Sequence, residues 1–99
     1  MTIRTLLKAV NEYFALLAKY TSILVKVHGN THPELTLVRD VFVKINSKVQ
    51  ENGTDHADLS IEFNELRRVT NNYSIPSDGC ETYAATYQML ESADKAYHS

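Results

Sequence analysis

Apolar residues recur at intervals of three and four over the first quarter of the sequence, and this spacing is the strongest constraint on the fold. Such a repeat places side chains on one face of an α-helix, because a helix completes a turn about every 3.6 residues. The pattern predicts one long amphipathic helix from Thr2 onward. Gly29 and Asn30 are expected to end it, as C-terminal capping residues do. Its predicted apolar stripe consists of Ile3, Leu6, Leu7, Val10, Phe14, Leu17, Thr21, Leu24 and Val27.

A second helix is predicted directly after this stop. Thr31 and Glu34 have the spacing of a capping box, in which two side chains satisfy free N–H groups at a helix start. Pro33 fits the first turn, because the N–H that it lacks has no partner there. Asn52-Gly53 is expected to break the helix. Its predicted core residues are Val38, Val41, Phe42, Ile45 and Val49.

Two further helices are predicted from capping residues and apolar spacing. Thr54 or Asp55 is expected to cap the third helix, and Asn71-Asn72 with Pro76 to close it. The stripe of this helix is predicted to be His56, Leu59, Phe63, Leu66 and Thr70. Ser77 or Asp78 is expected to cap the fourth helix, whose apolar side is predicted to be Cys80, Tyr83, Ala84, Tyr87, Leu90 and Tyr97.

The four predicted helices define the fold class. No stretch alternates apolar and polar residues for long enough to predict a strand, and the connections are short. Short connections favour antiparallel neighbours. The sequence therefore predicts an all-α fold, with residues 1–99 forming a single domain that is an up-down-up-down four-helix bundle.

Composition limits the possible partners and compartments. Ten basic residues stand against twelve acidic ones, and neither sign runs in blocks. A protein that binds a nucleic-acid backbone needs a basic face, so no nucleic-acid partner is expected. No apolar run approaches the length of a membrane span, and no signal-peptide pattern opens the chain. Cys80 is the one cysteine and cannot form an intrachain disulfide, which favours a reducing, cytoplasmic location.

Two stretches of the sequence resemble a known family. "KVHGNTHPEL" at residues 26–35 and "TNNYSIPSDGCETYAATY" at residues 70–87 are similar to two signature stretches of the Ric family. These are hemerythrin-like di-iron proteins associated with the repair of iron-sulfur clusters after nitrosative and oxidative damage. The two stretches occur in the family's order, and the resemblance extends over most of the chain.

The resemblance implies a di-iron site in which each helix supplies a histidine and two helices supply a bridging glutamate. Matching the sequence to the family pattern places the first-helix ligand on Leu7 and the second near Asn52, and neither side chain binds iron as histidine does. His56 matches the third-helix ligand, and the alternative interpretation is a first-turn histidine that is hydrogen-bonded at the end of the bundle. The fourth-helix pattern would begin near the chain end, with His98 two residues before the expected ligand. Most of the family's ligands are therefore absent.

The histidines of the first stretch are expected to have a different role. His28 lies 21 residues after Leu7 in the sequence, which corresponds to about 30 Å along a helix. It therefore cannot share a site with the other predicted positions. His28 and His32 are interpreted as helix-end residues, stabilised by the helix dipole and by the conformation that precedes a proline. Cys80 is expected to be buried and structural rather than a reactive thiol.

Three functions are consistent with these residues, and no catalytic motif predicts an enzyme. The first is a metal-deficient Ric-like bundle that acts as a binding or regulatory protein in a stress response, as a homodimer or with a related helical protein. It would have no cofactor. The second is an iron-binding protein of iron-sulfur cluster repair, in which two chains pool His56 and His98 with acidic neighbours such as Asp55 and Asp58. The third is a truncated or rearranged member of the family.

Overall fold

The computed structural model describes residues 5–98 and contains four helices in that range. Helix α1 consists of three consecutive segments, Leu6–Ala9, Val10–Phe14 and Ala15–His28. Helices α2, α3 and α4 are Glu34–Asn52, Ser60–Thr70 and Glu81–His98. No strand occurs in residues 5–98, so the predicted all-α class is confirmed. Thr2 and Ile3, where the first helix was expected to begin, lie outside the described residues.

The helices pack as a four-helix bundle, as predicted. Helix α1 lies against α2 and α4, and α2 lies against α3. Helix α3 reaches α4 through side chains, including Arg67 with Asp94 and the ring of Phe63 with that of Tyr97. The last residue of α1, His28, contacts Cys80 just before α4. Helices α1 and α4 are therefore antiparallel.

The core of the bundle contains every predicted core residue of α2, and most of those in α1. Two predictions in α1 are wrong, because Leu7 is 55% exposed and Val27 is 64% exposed. The cause at Leu7 is the segment Val10–Phe14, which forms a wider π-helical turn. Such a turn inserts an extra residue, so positions on either side of it no longer follow one α-helical repeat. At the other end, Leu24 and the half-buried His28 face the core, and Val27 lies beside that face.

The connection between α1 and α2 differs from the prediction. Helix α1 ends at His28 as expected, but the Thr31–Glu34 capping box is absent. The Thr31 hydroxyl donates to the carbonyl oxygen of His28 at 3.2 Å, and the Glu34 carboxylate contacts His32 at 3.2 Å. Each side chain therefore has a partner other than the backbone N–H group that a capping box would give it.

Helix α3 begins later than predicted, at Ser60 instead of directly after Thr54 or Asp55. The predicted break at Gly53 is confirmed, since its φ of 78° is a conformation that favours glycine. A turn follows, and the N–H of Leu59 then donates to the Tyr97 hydroxyl of α4 at 3.0 Å. Asp58 accepts a hydrogen bond from the Ser60 N–H at 3.2 Å. Residues before Ser60 are thus fixed by contacts with α4 and by a local turn.

Helix α4 also begins later than its predicted caps. It starts at Glu81. The N–H of Ala84 donates to the carbonyl oxygen of Cys80 at 3.0 Å, which is the hydrogen bond of the first turn. The carboxylate of Asp78 instead contacts His32, at 3.0 Å. A tertiary contact has therefore replaced the predicted capping role of this aspartate.

A buried carboxylate joins α3 to α4. Asp94 accepts two hydrogen bonds from Arg67, at 2.8 and 2.6 Å, and one from the Tyr73 hydroxyl at 2.7 Å. Tyr73 has φ of 62°, the third consecutive left-handed residue after Asn71 and Asn72. This backbone is strained for a bulky side chain and persists only where contacts hold it. Burial, together with the hydrogen bond to Asp94, raises the pKa of Tyr73.

We expect Asp94→Ala to lower the free energy of unfolding by about 3 kcal/mol, because it removes the shared acceptor of Arg67 and Tyr73. Chemical denaturation monitored by circular dichroism measures this change. The matched control is Lys95→Ala. It removes a surface ion pair in which the Lys95 ammonium lies 3.9 Å from the Glu91 carboxylate, and it should change the free energy of unfolding by less than about 0.5 kcal/mol. Equal effects of the two substitutions would contradict the structural role of Asp94.

Candidate functional site

His56, the predicted third-helix ligand, lies in the turn between α2 and α3. The residue is exposed, and its backbone N–H donates to the carbonyl of Gly53 at 3.4 Å. It is therefore not on the apolar stripe of a helix, and that prediction is wrong. A ligand in a bundle site is held on a helix that points its side chain inward. The position of His56 does not provide this support.

His98, the second predicted metal residue, lies at the end of α4 beside the ion pair of Arg67 and Asp94. The Arg67 guanidinium is 3.2 and 3.3 Å from its two ring nitrogens. Nδ1 is also 2.9 Å from the backbone carbonyl of Asp94. The Asp94 carboxylate, which pairs with Arg67, also lies 2.9 Å from Nδ1. Both ring nitrogens also have protein neighbours already.

The end of the bundle where the family would hold its metals contains few ligands. Leu7, Asp55 and Tyr97 line a cavity with a volume of about 530 Å³. Its polar lining consists of one carboxylate and hydroxyl groups, without an imidazole or a thiol. Residues 5–98 contain no group of three or more histidine, cysteine, aspartate or glutamate side chains placed to hold a metal ion. These residues do not fit a di-iron centre within one chain.

At the opposite end of the bundle, the two family-like stretches contact each other. His32 lies between two carboxylates, with Nδ1 at 3.2 Å from Glu34 and Nε2 at 3.0 Å from Asp78. The ring of Tyr83 packs edge-on against the rings of His28 and His32. The hydrogen bond that Nε2 donates to the Asp78 carboxylate is the main cause of the raised pKa of His32. His28 and His32 thus lie at helix ends as predicted, and they bind the start of α4.

Cys80 differs from its prediction, because the residue is exposed instead of buried. Its Sγ atom lies 3.4 Å from Nε2 of His28. The reason is the late start of α4, which leaves Cys80 one residue outside the helix at the end of the bundle. Tyr83, one turn later, occupies the buried position.

A groove runs between α2 and α3, and we call it the α2/α3 groove. It has a volume of about 650 Å³. Three aliphatic side chains at the groove are exposed: Leu37 by 48%, Val43 by 54% and Ile61 by 75%. The remaining lining residues are Val41 and the charged residues Asp40, Lys44, Glu62 and Glu65. Exposed aliphatic groups at a groove rimmed by charges are typical of a protein-binding surface.

Glu62 gives this groove an unsatisfied acceptor. The residue is 8% exposed, and its Oε2 atom pairs with the Lys48 ammonium at 2.9 Å. Its Oε1 atom is buried and has no hydrogen-bond partner in the described part of the chain. A buried carboxylate oxygen without a donor is unfavourable, and the chain itself encloses this atom, so the ion pair with Lys48 is the contact that holds Glu62.

Sequence reasoning did not identify this groove. Leu37, Val43 and Ile61 lie outside the predicted apolar stripes, and an isolated exposed aliphatic residue is common on protein surfaces. The only signal in the sequence is that these residues depart from the polar pattern of the outer helix faces. Their proximity depends on how α2 packs against α3.

Comparisons with known proteins leave the family unassigned. No protein-family model matches the chain, and no solved structure matches it significantly. Within residues 5–98, no helix is both long and apolar enough to cross a membrane.

We expect the pKa of His32 to fall in Asp78→Asn, because the substitution removes the carboxylate that holds the imidazolium. NMR titration of the histidine ring protons measures this. A raised pKa in the folded state stabilises the protein below the ordinary value of 6.5, and this contribution is lost as pH rises through the raised pKa. Asp78→Asn should therefore lower stability more at about pH 6 than at about pH 8.5. Asp55→Asn, at the other end of the bundle, serves as control and should leave the His32 titration unchanged.

The assignment of His56 and His98 as iron ligands in a dimer stays a prediction that metal analysis tests. After growth with added iron, we expect the purified protein to contain less than about one iron per ten chains, because several ligands must converge to hold a metal. Elemental analysis measures the iron per chain, and the mass in solution shows whether the protein is a monomer or a dimer. One or two irons per dimer that are lost in both His56→Ala and His98→Ala would establish the shared site instead.

Proposed function

We propose that this chain is a helical binding protein that accommodates an apolar segment of a protein partner in the α2/α3 groove. The observation that carries this proposal is the exposure of Leu37, Val43 and Ile61 around one groove. Burying an aliphatic side chain of this size stabilises a complex by about 1.5–3 kcal/mol. Three such groups on a small surface therefore provide a favourable contribution to association.

The form of the groove favours a protein segment as its occupant. Its two walls are antiparallel helices, and its apolar groups are spread along the groove from Leu37 on α2 to Ile61 on α3. An amphipathic helix binds such a surface by placing its own apolar side chains between the two helices. The charged rim residues then contact the polar face of the partner.

We further propose that the protein is a metal-deficient relative of the Ric family with a binding or regulatory role in a stress response, located in the cytoplasm. The contact of the two family-like stretches supports this relationship, since residues 26–35 meet residues 70–87 through His32 and Asp78. The absence of most family ligands from the matching positions supports binding over di-iron chemistry. The sequence contains one cysteine, which cannot form an intrachain disulfide, and this supports a cytoplasmic location.

Photo-crosslinking tests the groove as a binding surface. Ile61 is replaced by the photo-reactive residue p-benzoylphenylalanine, and irradiated cells that express the protein are analysed by mass spectrometry. We expect one discrete crosslinked product whose attached peptide is apolar, because Ile61 would lie against the bound segment. The product should be lost when Leu37→Asp is added, since a charge in the groove opposes apolar contact.

The matched control places the same photo-reactive residue at Val27, which is similarly exposed but lies on α1. A partner that binds the α2/α3 groove leaves this position free, so the product should be absent. Equal products at both positions, or none at Ile61, would overturn the proposed function.

A further inference from the structure

We propose that Cys80 is a modification site, at which the thiol exchanges with a small disulfide and His28 transfers the proton. Neither residue lines the α2/α3 groove, so this inference is independent of the proposed function. It depends on three observations: the contact between the thiol and the imidazole, the support that holds the imidazole in place, and the exposure of the thiol at the start of α4.

The thiol and the imidazole lie within hydrogen-bonding distance of each other. Sγ of Cys80 is 3.4 Å from Nε2 of His28, although the two residues are 52 positions apart in the sequence. A neutral imidazole has one ring nitrogen that accepts a proton. When this nitrogen is Nε2, it takes the thiol proton and leaves a thiolate, which is the nucleophilic form of cysteine. The pair therefore provides both a nucleophile and a base.

His28 is held in position by the end of its own helix and by α4. Its carbonyl oxygen accepts hydrogen bonds from the N–H groups of Thr31 at 3.1 Å and His32 at 2.8 Å, which fix the backbone. Its ring packs edge-on against the ring of Tyr83, with the centroids 5.4 Å apart. Tyr83 is buried and lies in the first turn of α4, directly after Cys80. The helix that begins beside the thiol thus also orients the base.

A carboxylate near His28 stabilises a positive charge on its ring. The pKa of Asp78 is lowered mainly by the hydrogen bond from His32, and the charge of His28 also lowers it. This attraction acts in both directions, so Asp78 favours the imidazolium that forms when His28 takes the thiol proton. The imidazolium and the thiolate then also attract each other.

Cys80 is exposed and lies at a helix start. Because the residue is exposed, a small disulfide reaches its side chain from solvent. Its carbonyl oxygen accepts the hydrogen bond of the first turn, from the N–H of Ala84 at 3.0 Å, which makes Cys80 the N-cap residue of α4. The free N–H groups and the dipole of a helix give this end a partial positive charge. A thiolate is stabilised at such a position.

The exchange forms one sulfur-sulfur bond and breaks another. The Cys80 thiolate attacks one sulfur of the disulfide, and the bond from Sγ to this sulfur forms as the original bond breaks. The second sulfur leaves with the electron pair of the broken bond and takes the proton from His28. Cys80 is thereby oxidised to a mixed disulfide, the leaving half is reduced to a thiol, and the imidazole is neutral again. Attack by another thiol reverses the modification.

The rates of modification of folded and unfolded protein test this site. The protein is mixed with bis(2-hydroxyethyl) disulfide at about pH 7, and intact mass spectrometry follows formation of the mixed disulfide. This disulfide is neutral, since the carboxylates of Asp78 and Glu81 would repel an anionic one. We expect the folded protein to react at least about tenfold faster than protein unfolded in urea, because only folding brings His28 to Cys80. Each rate is divided by that of N-acetylcysteine amide in the same solution, which corrects for the effect of urea.

Three variants assign the rate to the two side chains. His28→Gln removes the base but keeps a side chain that accepts a hydrogen bond, so the helical circular dichroism spectrum should stay unchanged. Its folded rate should fall about tenfold or more. His56→Gln, the same substitution in an exposed turn at the other end of the bundle, is the matched control and should leave the rate unchanged. Cys80→Ser should abolish the modification.

Two results would overturn the inference. The first is a folded protein whose thiol reacts no faster than that of the unfolded protein, a comparison that needs no substitution. The second is an unchanged rate in His28→Gln, since the imidazole would then take no part in the exchange. Neither result affects the proposed function, whose own test is the crosslink at position 61.

Discussion

The buried carboxylate of Asp94 is the interaction on which the position of α3 depends. Helix α3 is the shortest of the four helices, and its contact with α4 is made by side chains more than by close backbone packing. Asp94 joins Arg67 on α3, Tyr73 in the following connection and the end of α4. Removing charged groups from water is unfavourable unless they are paired, so this network requires all its members in place. It therefore fixes α3 against α4.

The groove depends on this placement of α3. One face of α3 is held by Asp94 through Arg67, and Glu62 joins the helix to α2 through Lys48. Ile61 then remains on the outer surface beside Leu37. The groove is thus a consequence of two ion pairs that anchor α3 on both sides. Its walls are rigid helices, which lowers the entropic cost of binding a partner.

The histidines at the two ends of the bundle have similar structural roles. At the end that holds the predicted metal residues, His98 contacts Arg67 and His56 lies in an exposed turn. At the other end, His32 and Asp78 hold the two family-like stretches together. Histidines at both ends therefore contribute to helix ends and connections. Histidine content alone is a poor guide to metal chemistry when the side chains do not converge.

Much of the fold could be predicted because its determinants are local. The apolar spacing of α2 placed all five of its predicted core residues correctly, and the Asn52-Gly53 and Asn71-Asn72 stops match the observed helix ends. Glycine and asparagine adopt left-handed backbone conformations at low cost, so these stops depend only on the residue itself and its neighbours. The bundle follows from such helices joined by short connections.

The helix starts and the candidate binding surface could not be predicted in this way. Leu59 lies just before α3 with its N–H bound to the Tyr97 hydroxyl, and the carboxylate of Asp78 contacts His32 instead of capping α4. Each partner lies more than 35 residues away in the sequence. The sequence by itself determined the helices, their stops and the core of α2, since periodicity and backbone preference act within a few residues. Only the tertiary structure decided the π-helical register of α1, the start of α3 and the grouping of exposed aliphatic residues, because these depend on contacts between distant segments.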